Sequence, residues 1–446
     1  MAGWHWYRTR RRLRVLPVWR LPLAMLAVAV FLSWLLPLVD RSLAGWEGDY
    51  GGQFFPTVDD SAMSNLLSAV AGGMITLTGL VFTALTLAMQ FGAAQLSVRV
   101  VPILRQDPIM RWSIGVFLAT FVYTLLVSVR LAVHEEEYRP VLSVFCAIAL
   151  SVVCAVLFLT LVTRVTGVLN SGYLLRSLAA QGRQAVQRTH PRLPAGSGPT
   201  ARVAVRDEEA VVVRLGAPPR NGQVLLSFDE RRLEAFAQAW GVKLELVPVI
   251  GDFIAHQAPL FHVHGPAEHT ARADHGVLVH CLLFGETHSA ATDPAGALRA
   301  LVDIALKALS PAINDPGRAV QALDHIEDLL VMLAPRLQGT CHAAGGGHLT
   351  YRTRSWPDYV CIATDEIRHF GTTSIQVQRR LRALYATVAQ VCDPAQVAPL
   401  SVRLETMDAV AAIQWPQELD RYLARCADPQ GLGTESGSAL SRWTGA

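Results

Sequence analysis

Seven of the chain's 14 histidines, His256, His262, His264, His269, His275, His280 and His288, fall within 33 residues. Imidazole is the usual ligand for zinc-class metals and the side chain that titrates nearest neutrality. His262 and His264 stand two apart in an alternating run. A strand puts both on one face, as a metal pair requires, and Asp252 or Asp274 is placed to complete the site. The competing reading is ordinary histidine on a polar strand face, because no H-E-x-x-H or equivalent spacing accompanies the pair. Asp365-Glu366 with Arg368 and His369 has the residue types for acid–base work, although acids at a helix start also complement its dipole. Asn314-Asp315-Pro316, within SPAINDP, joins two side chains able either to cap a helix or to ligate an ion. Phosphate loops, nucleophile elbows and dinucleotide fingerprints are absent from the sequence, so no catalytic residue and no cofactor is assigned.

The longest pattern is apolar. Ser61 to Val98 runs 38 residues without a charge, against roughly 20 needed for one span. At helical spacing Ser68, Gly72, Thr76, Gly79, Thr83, Thr86 and Gln90 share one face, opposite Leu66, Val70, Ile75, Leu77, Val81, Leu85 and Met89. Two readings of that polar stripe stand: small-residue packing inside a helix bundle, or the lining of a water-filled path. Four helices are too few to enclose a path, so the second reading requires a homo-oligomer. The stretch is read as one span plus a helical extension bounded by Arg99 and Pro102, with Gly72-Gly73 able to kink it.

These elements belong to a two-part chain. Hydrophobic residues make up 51% of the 446 and charged residues 17%, and the apolar excess lies before residue 165. The fold class expected is therefore an α-helical four-span bundle at 1–165, with spans near 21–39, 65–92, 112–131 and 140–163, followed by an α+β region. Ser42-Leu43-Ala44 imitates a signal cleavage site, but the apolar run before it is long and Asp40-Arg41 interrupts the approach. Thirteen basic residues lie at the N-terminus, around Arg99–Arg111 and at the exit from the fourth span; the other two loops hold three bases and eight acids. By the positive-inside rule both termini are cytoplasmic. A net charge of +3 and the lack of a basic aromatic patch argue against nucleic acid. The seven cysteines are scattered without a C-x-x-C pair, which fits reduced thiols.

Past the bundle, 166–200 reads as an exit helix and a Pro/Gly/Ser linker. Residues 201–290 read as β-rich, with strands at Ala210–Leu215, QVLLSF, the alternating run from Val242 to Gly265, and HGVLVHCLLF; Glu230–Trp240 is a helix capped by Asp229. Residues 291–428 read as helical. Asp293-Pro294 and Asp315-Pro316 begin two amphipathic helices, and Thr364–Val391 and Pro399–Ile413 give two more. The tail, 429–446, reads as disordered.

Val249-x-Gly-Asp-x-x-x-x-x-x-Pro-Leu260 resembles the hammerhead turn of barrel-sandwich domains, without the carrier lysine. Three longer strings, MITLTGLVFTALTLAMQFGAAQLSVRVVPILRQDP (74–108), VIGDFIAHQAPL (249–260) and DIALKALSPAINDP (303–316), resemble the bacterial family of predicted inner-membrane proteins classed as domain of unknown function 2254. The resemblance covers roughly residues 20–430 and implies four N-terminal spans with a cytoplasmic C-terminal region. It brings no established activity or site residue. The function expected is an oligomeric channel or transport-type protein gated by its cytoplasmic part; a membrane-anchored sensor or scaffold is the alternative. The lipid bilayer and further copies of the chain are the expected partners.

Overall fold

The computed structural model describes residues 19–44, 60–95, 108–133, 141–169, 171–190, 210–215, 223–272, 274–288, 290–337, 341–343 and 346–433. The basic N-terminal segment, the acidic loops at 45–59 and 134–140, the arginine-bearing loop at 96–107, the linker at 191–200 and the tail beyond 433 lie outside the described residues. The chain divides into two compact units, one ending at Tyr173 and the other beginning at Leu174.

The first unit contains α1 (Arg20–Ala44), α2 (Asp60–Gln95), α3 (Pro108–Val133) and α4 (Val141–Leu169). All four are long and apolar enough to cross a membrane. Their apolar windows, Arg20–Asp40, Ser61–Gly92, Pro108–Val133 and Leu142–Gly167, overlie the four expected spans. At 36 residues, α2 is about 54 Å long against a hydrocarbon core of about 30 Å, and it continues through Gly72-Gly73.

α3 packs against the other three helices. Its buried face carries Gly115, Phe117, Thr120, Tyr123, Thr124 and Val127. Gly115 admits α1 so closely that a methyl group there would meet Met25 Sδ and Pro22 Cα. Its buried hydroxyls are hydrogen-bonded, as an apolar interior demands, except Ser113 Oγ, which has no partner among the described residues. Tyr123 donates to Ser143 O at 3.0 Å and Thr124 to Thr120 O at 3.0 Å. Asp40, counted from sequence among the eight loop acids, is instead buried. Its carboxylate accepts from Leu142 N, Ser143 N and Ser143 Oγ at 3.0, 3.3 and 2.8 Å, which caps α4.

The second unit takes in most of α5 (Ser171–Thr189) and then alternates between strand and helix. Its strands are β1 (Val211–Arg214), β2 (Gln223–Phe228), β3 (Lys243–Leu246), β4 (Phe253–Ile254), β5 (Pro259–His264), β6 (Leu282–Gly285), β7 (Cys341–Ala343) and β8 (Leu349–Arg352). The helices interleaved with them are α6 (Glu230–Trp240), α7 (Ala267–Arg272), α8 (His275–His280), α9 (Pro294–Ala308) and α10 (Pro316–Leu333). α11 (Trp356–Val360), α12 (Glu366–Phe370), α13 (Ile375–Ala389), α14 (Pro394–Gln414) and α15 (Glu418–Arg425) complete it. The strands form two sheets, ordered β1-β5-β3-β8-β7 and β4-β2-β6, and Val213, Leu225, Leu244, Ile254, Phe261 and Leu282 from both meet in one core.

This mixed α/β unit departs from the sequence reading in three places. HGVLVHCLLF is not one strand: the Asp274 carboxylate accepts from Gly276 N and Val277 N, starts a helical turn, and leaves only Leu282–Gly285 extended. β7 and β8 come from the region read as helical, and β8 lies parallel to β3 with Leu244 opposite Leu349. The expected helix from Thr364 is broken, because Cys361–Asp365 is a π turn and α13 begins afresh with Ser374 Oγ accepting from Val377 N. Cys146, Cys154, Cys281, Cys361, Cys392 and Cys426 are free thiols.

α5 is bound into this unit. Leu174, Leu175, Leu178, Ala185 and Val186 are buried, and a methyl group on Gly182 would stand 2.9 Å from Ala297 Cβ and Leu329 Cδ1. Arg183 reaches Asp328 at 2.7 Å.

Candidate functional site

The structure disperses most of the sequence's candidates. In α2 the buried residues are Met63, Leu67, Val81, Leu85, Ala88 and Gly92. Ser68, Gly72, Thr76, Gly79, Thr83 and Gln90 are exposed and Thr86 is half-buried. A methyl group added at Gly72 or Gly79 would meet nothing within 4 Å, so within one chain these glycines pack against no neighbouring helix. Thr76, Thr83 and Thr86 donate to the carbonyls of Gly72, Gly79 and Phe82, at 2.8, 3.0 and 2.8 Å. The hydroxyls are thereby satisfied within their own helix.

The SPAINDP segment is a tight reversal. Asn314 takes a positive φ of 46°, Asp315 N donates to Ala308 O at 2.8 Å, and the Asp315 carboxylate accepts from Arg318 N ahead of Pro316. The Asp365 cluster is likewise consumed in packing. Arg403 grips both oxygens of Asp365 at 2.6 and 2.7 Å, and Arg299 holds Glu366 at 2.7 Å. These contacts account for Asp315 as a cap and for the two acids as helix ties.

Among the described residues, His262 and His264 are the histidines that come together with a third ligand-type group. β5 alternates so that Phe261 and Val263 enter the core while both imidazoles stand on the other face. Register places His262 opposite Glu245 of β3. His262 Nδ1 lies 3.2 Å and His264 Nε2 3.6 Å from the same carboxylate oxygen, Glu245 Oε2. Neither acid expected to complete the set does so. Asp252 binds Val249 N and Arg354, and Asp274 caps α8.

The most site-like feature is a cavity of about 680 Å³ in the second unit, well within the range of small-molecule sites. Four local structures converge on it. β2 ends at Phe228, whereupon Asp229 accepts from Arg232 N at 3.2 Å and starts α6. β8 ends at Arg352 and continues into Thr353 and Arg354. The turn at Gly251, with a φ of 91°, brings Val249 and Ile250 to the wall, and the end of α5 supplies Arg188, Thr189 and His190.

The N-terminus of α9 closes one side. Asp293 caps it, Oδ1 accepting from Ala295 N at 2.9 Å. Its other oxygen, Oδ2, is buried with no hydrogen-bond partner among the described residues. Burial pushes this carboxyl up to about 6, against the opposing pull of the Ala295 amide and the Arg354 guanidinium. Arg354 is held in turn by Ile250 O and Asp252 Oδ1, at 3.3 and 3.2 Å. The hydroxyl of Tyr359 lies 3.1 Å from His190 Nε2, and burial raises its pKa well above the ordinary phenol value. Tyr351, stacked edge-on against Phe228 at 5.0 Å, is pushed up to about 12 by the same cause.

Sequence reading named Asp293 as a cap and Gly251 as a turn but did not join them. They are some 40 positions apart, and only the fold shows that a methyl group on Gly251 would lie 2.7 Å from Asp293 Oδ2.

Four membrane-length apolar helices followed by a mixed α/β unit with a polar cavity define a multi-span membrane protein with a large folded C-terminal part. The chain belongs to the family described as Predicted membrane protein (DUF2254), whose model matches residues 17–387. It is similar to uncharacterised proteins of Mycobacterium tuberculosis and Mycobacterium bovis, at 24% identity over 386 residues, covering 80% of this chain and 70% of each relative. No solved structure matches the chain.

Proposed function

We propose that the protein is a membrane-anchored receptor for a small polar solute, without catalysis of its own. α1–α4 sit in the bacterial inner membrane, and the second unit lies on the cytoplasmic side, as the arginine distribution supports. One observation carries the reading: the second Asp293 carboxylate oxygen, buried at the wall of a cavity of about 680 Å³, has no hydrogen-bond partner among the described residues. A buried carboxylate oxygen without a donor costs about 1–3 kcal/mol, and a ligand N–H group or cation would supply the missing contact. Arg188, Arg231 and Arg352 also line the cavity, which suits a solute that carries a negative group as well. The barrel-sandwich likeness of the Gly251 turn contributes scaffold and no chemistry. Because the end of α5 forms part of the wall, an occupied cavity would act on the helix that follows the last apolar one.

The test is a thermal-shift series on the full-length protein in detergent, using amino acids, nucleotides and other zwitterionic or anionic metabolites. A true ligand at a hundredfold excess over its Kd stabilises by about 2.7 kcal/mol, and Asp293→Asn abolishes that shift. If no compound moves the wild-type transition at millimolar concentration, the receptor reading fails.

A second reading, an oligomeric channel or transport-type protein, is supported by the direction of the α2 stripe. Its glycines and hydroxyls face out of the single-chain bundle, where another copy would cover them. Native mass spectrometry of the protein, and of Thr83→Leu, tests it: a monomer in both removes this reading.

A further inference from the structure

We propose that Glu245, His262 and His264 form a binding site for a zinc-class divalent cation on the outer face of the five-stranded sheet. This rests on different residues from the cavity and stands or falls separately. The three ligand atoms lie within 4.8 Å of one another. With zinc–ligand bonds of about 2.0–2.1 Å, the edges of a tetrahedral site are about 3.3–3.4 Å. The observed 3.2 and 3.6 Å from Glu245 Oε2 to the two imidazoles bracket that edge.

The pairing is built by the fold. Register holds Glu245 beside His262 across β3 and β5, so the ligand atoms sit on a rigid sheet instead of a loop. His264 also lacks any other role. Its side chain is only 11% exposed, yet neither ring nitrogen has a hydrogen-bond partner among the described residues. Glu245 Oε2, 3.6 Å from His264 Nε2, is already engaged by His262. A buried imidazole in that position calls for an explanation, and a cation held between the three groups gives one while leaving a fourth position open to water. Two imidazoles and one carboxylate suit zinc, cobalt, nickel or iron(II) and discriminate against magnesium and calcium. Lys243 opposes the site, because it stands across from His264 in the register.

The experiment is equilibrium dialysis of tag-free, chelator-stripped full-length protein in detergent against ZnCl₂, followed by metal analysis, with CoCl₂ as a spectroscopic probe. One equivalent of zinc per chain is expected, with cobalt giving the intense visible bands of a four-coordinate site. Outer-shell substitutions cost roughly 10–100-fold in affinity, so His264→Ala, which removes a ligand, is expected to cost about 100-fold or more. His256→Ala and His280→Ala, outside the cluster, leave affinity unchanged. Lys243→Met removes the opposing charge and tightens zinc binding about threefold, a gain that a misfolded protein would not show. Zinc below about 0.1 equivalents at saturation, where one is expected for a three-ligand site, or equal binding by wild type and His264→Ala, overturns the proposal.

Discussion

Replacing Asp293 with asparagine tests the electrostatics of the cavity directly. Asparagine caps helices as well as aspartate does, so the bond from Ala295 N is kept while the ionisation is removed. In the native protein this carboxyl is raised from 3.8 to about 6 by burial. The folded state therefore binds the proton more tightly than the unfolded chain does. Below about pH 4 both states are protonated and the group costs nothing. As pH rises through 6 the folded protein must ionise a buried acid, and that favourable increment is lost. That rise corresponds to about 3 kcal/mol. For a unit of this size 1 kcal/mol moves the midpoint by about 2–4 °C, so the effect is about 6–12 °C. Thermal unfolding of the full-length protein in detergent from pH 4 to 8 provides the assay, with hydrogen exchange in α9 identifying the transition of this unit. The variant should match the wild type near pH 4 and exceed it by most of that margin above pH 7. Midpoint curves that stay parallel across the range would refute the burial argument.

Other outcomes follow from single contacts. Gly251→Ala combines a φ of 91° with a methyl group 2.7 Å from Asp293 Oδ2; the backbone strain alone is about 1–2 kcal/mol, and the denaturant midpoint should fall accordingly. Arg380, 5% exposed, binds Asp324 at 2.7 Å and Glu327 at 2.6 Å and so ties α13 to α10. Arg380→Ala leaves those acids without their cation and should cost about 3 kcal/mol in denaturant melts. Thr83→Leu removes a hydroxyl that bonds only its own helix, and should change the melting of the isolated chain by less than about 0.5 kcal/mol, whatever it does to assembly. Solute affinity at the cavity should rise between pH 5 and 7, because a cationic or N–H ligand group favours the ionised Asp293; titration calorimetry at the two pH values reads this.

The elements written in local chemistry were legible from sequence. Uninterrupted apolar runs located the four helices, and Asp229, Asp293 and Asp315 marked the starts of α6, α9 and α10, because a capping acid followed by a helical pattern is a local signal. What required long-range pairing was not legible. β8 joins β3 from more than 100 residues away, and nothing local in LTYR distinguishes a strand in that sheet from a loop before α11. The six-residue α8 was hidden because an apolar run of that length fits strand and helix alike. The histidine pair was visible by its spacing of two, but its carboxylate partner sits on a different strand and could be named only from the register. The polar stripe was visible as well, yet its direction depends on which face of α2 meets α3.

The close approach at Gly182 has a consequence for biosynthesis. The atoms that press on this glycine belong to Ala297 and Leu329, which emerge from the ribosome well over a hundred residues later. At about 5–20 residues per second the delay to Leu329 is roughly 7–30 s. Until both have been made, the packing around Gly182 is incomplete, although the apolar helices before α5 are already made. A nascent chain of this protein thus carries, just behind its last apolar segment, an amphipathic helix whose Gly182 face is not yet covered by α9 and α10. Chaperone or insertase contact with α5 during synthesis should end only when α10 arrives.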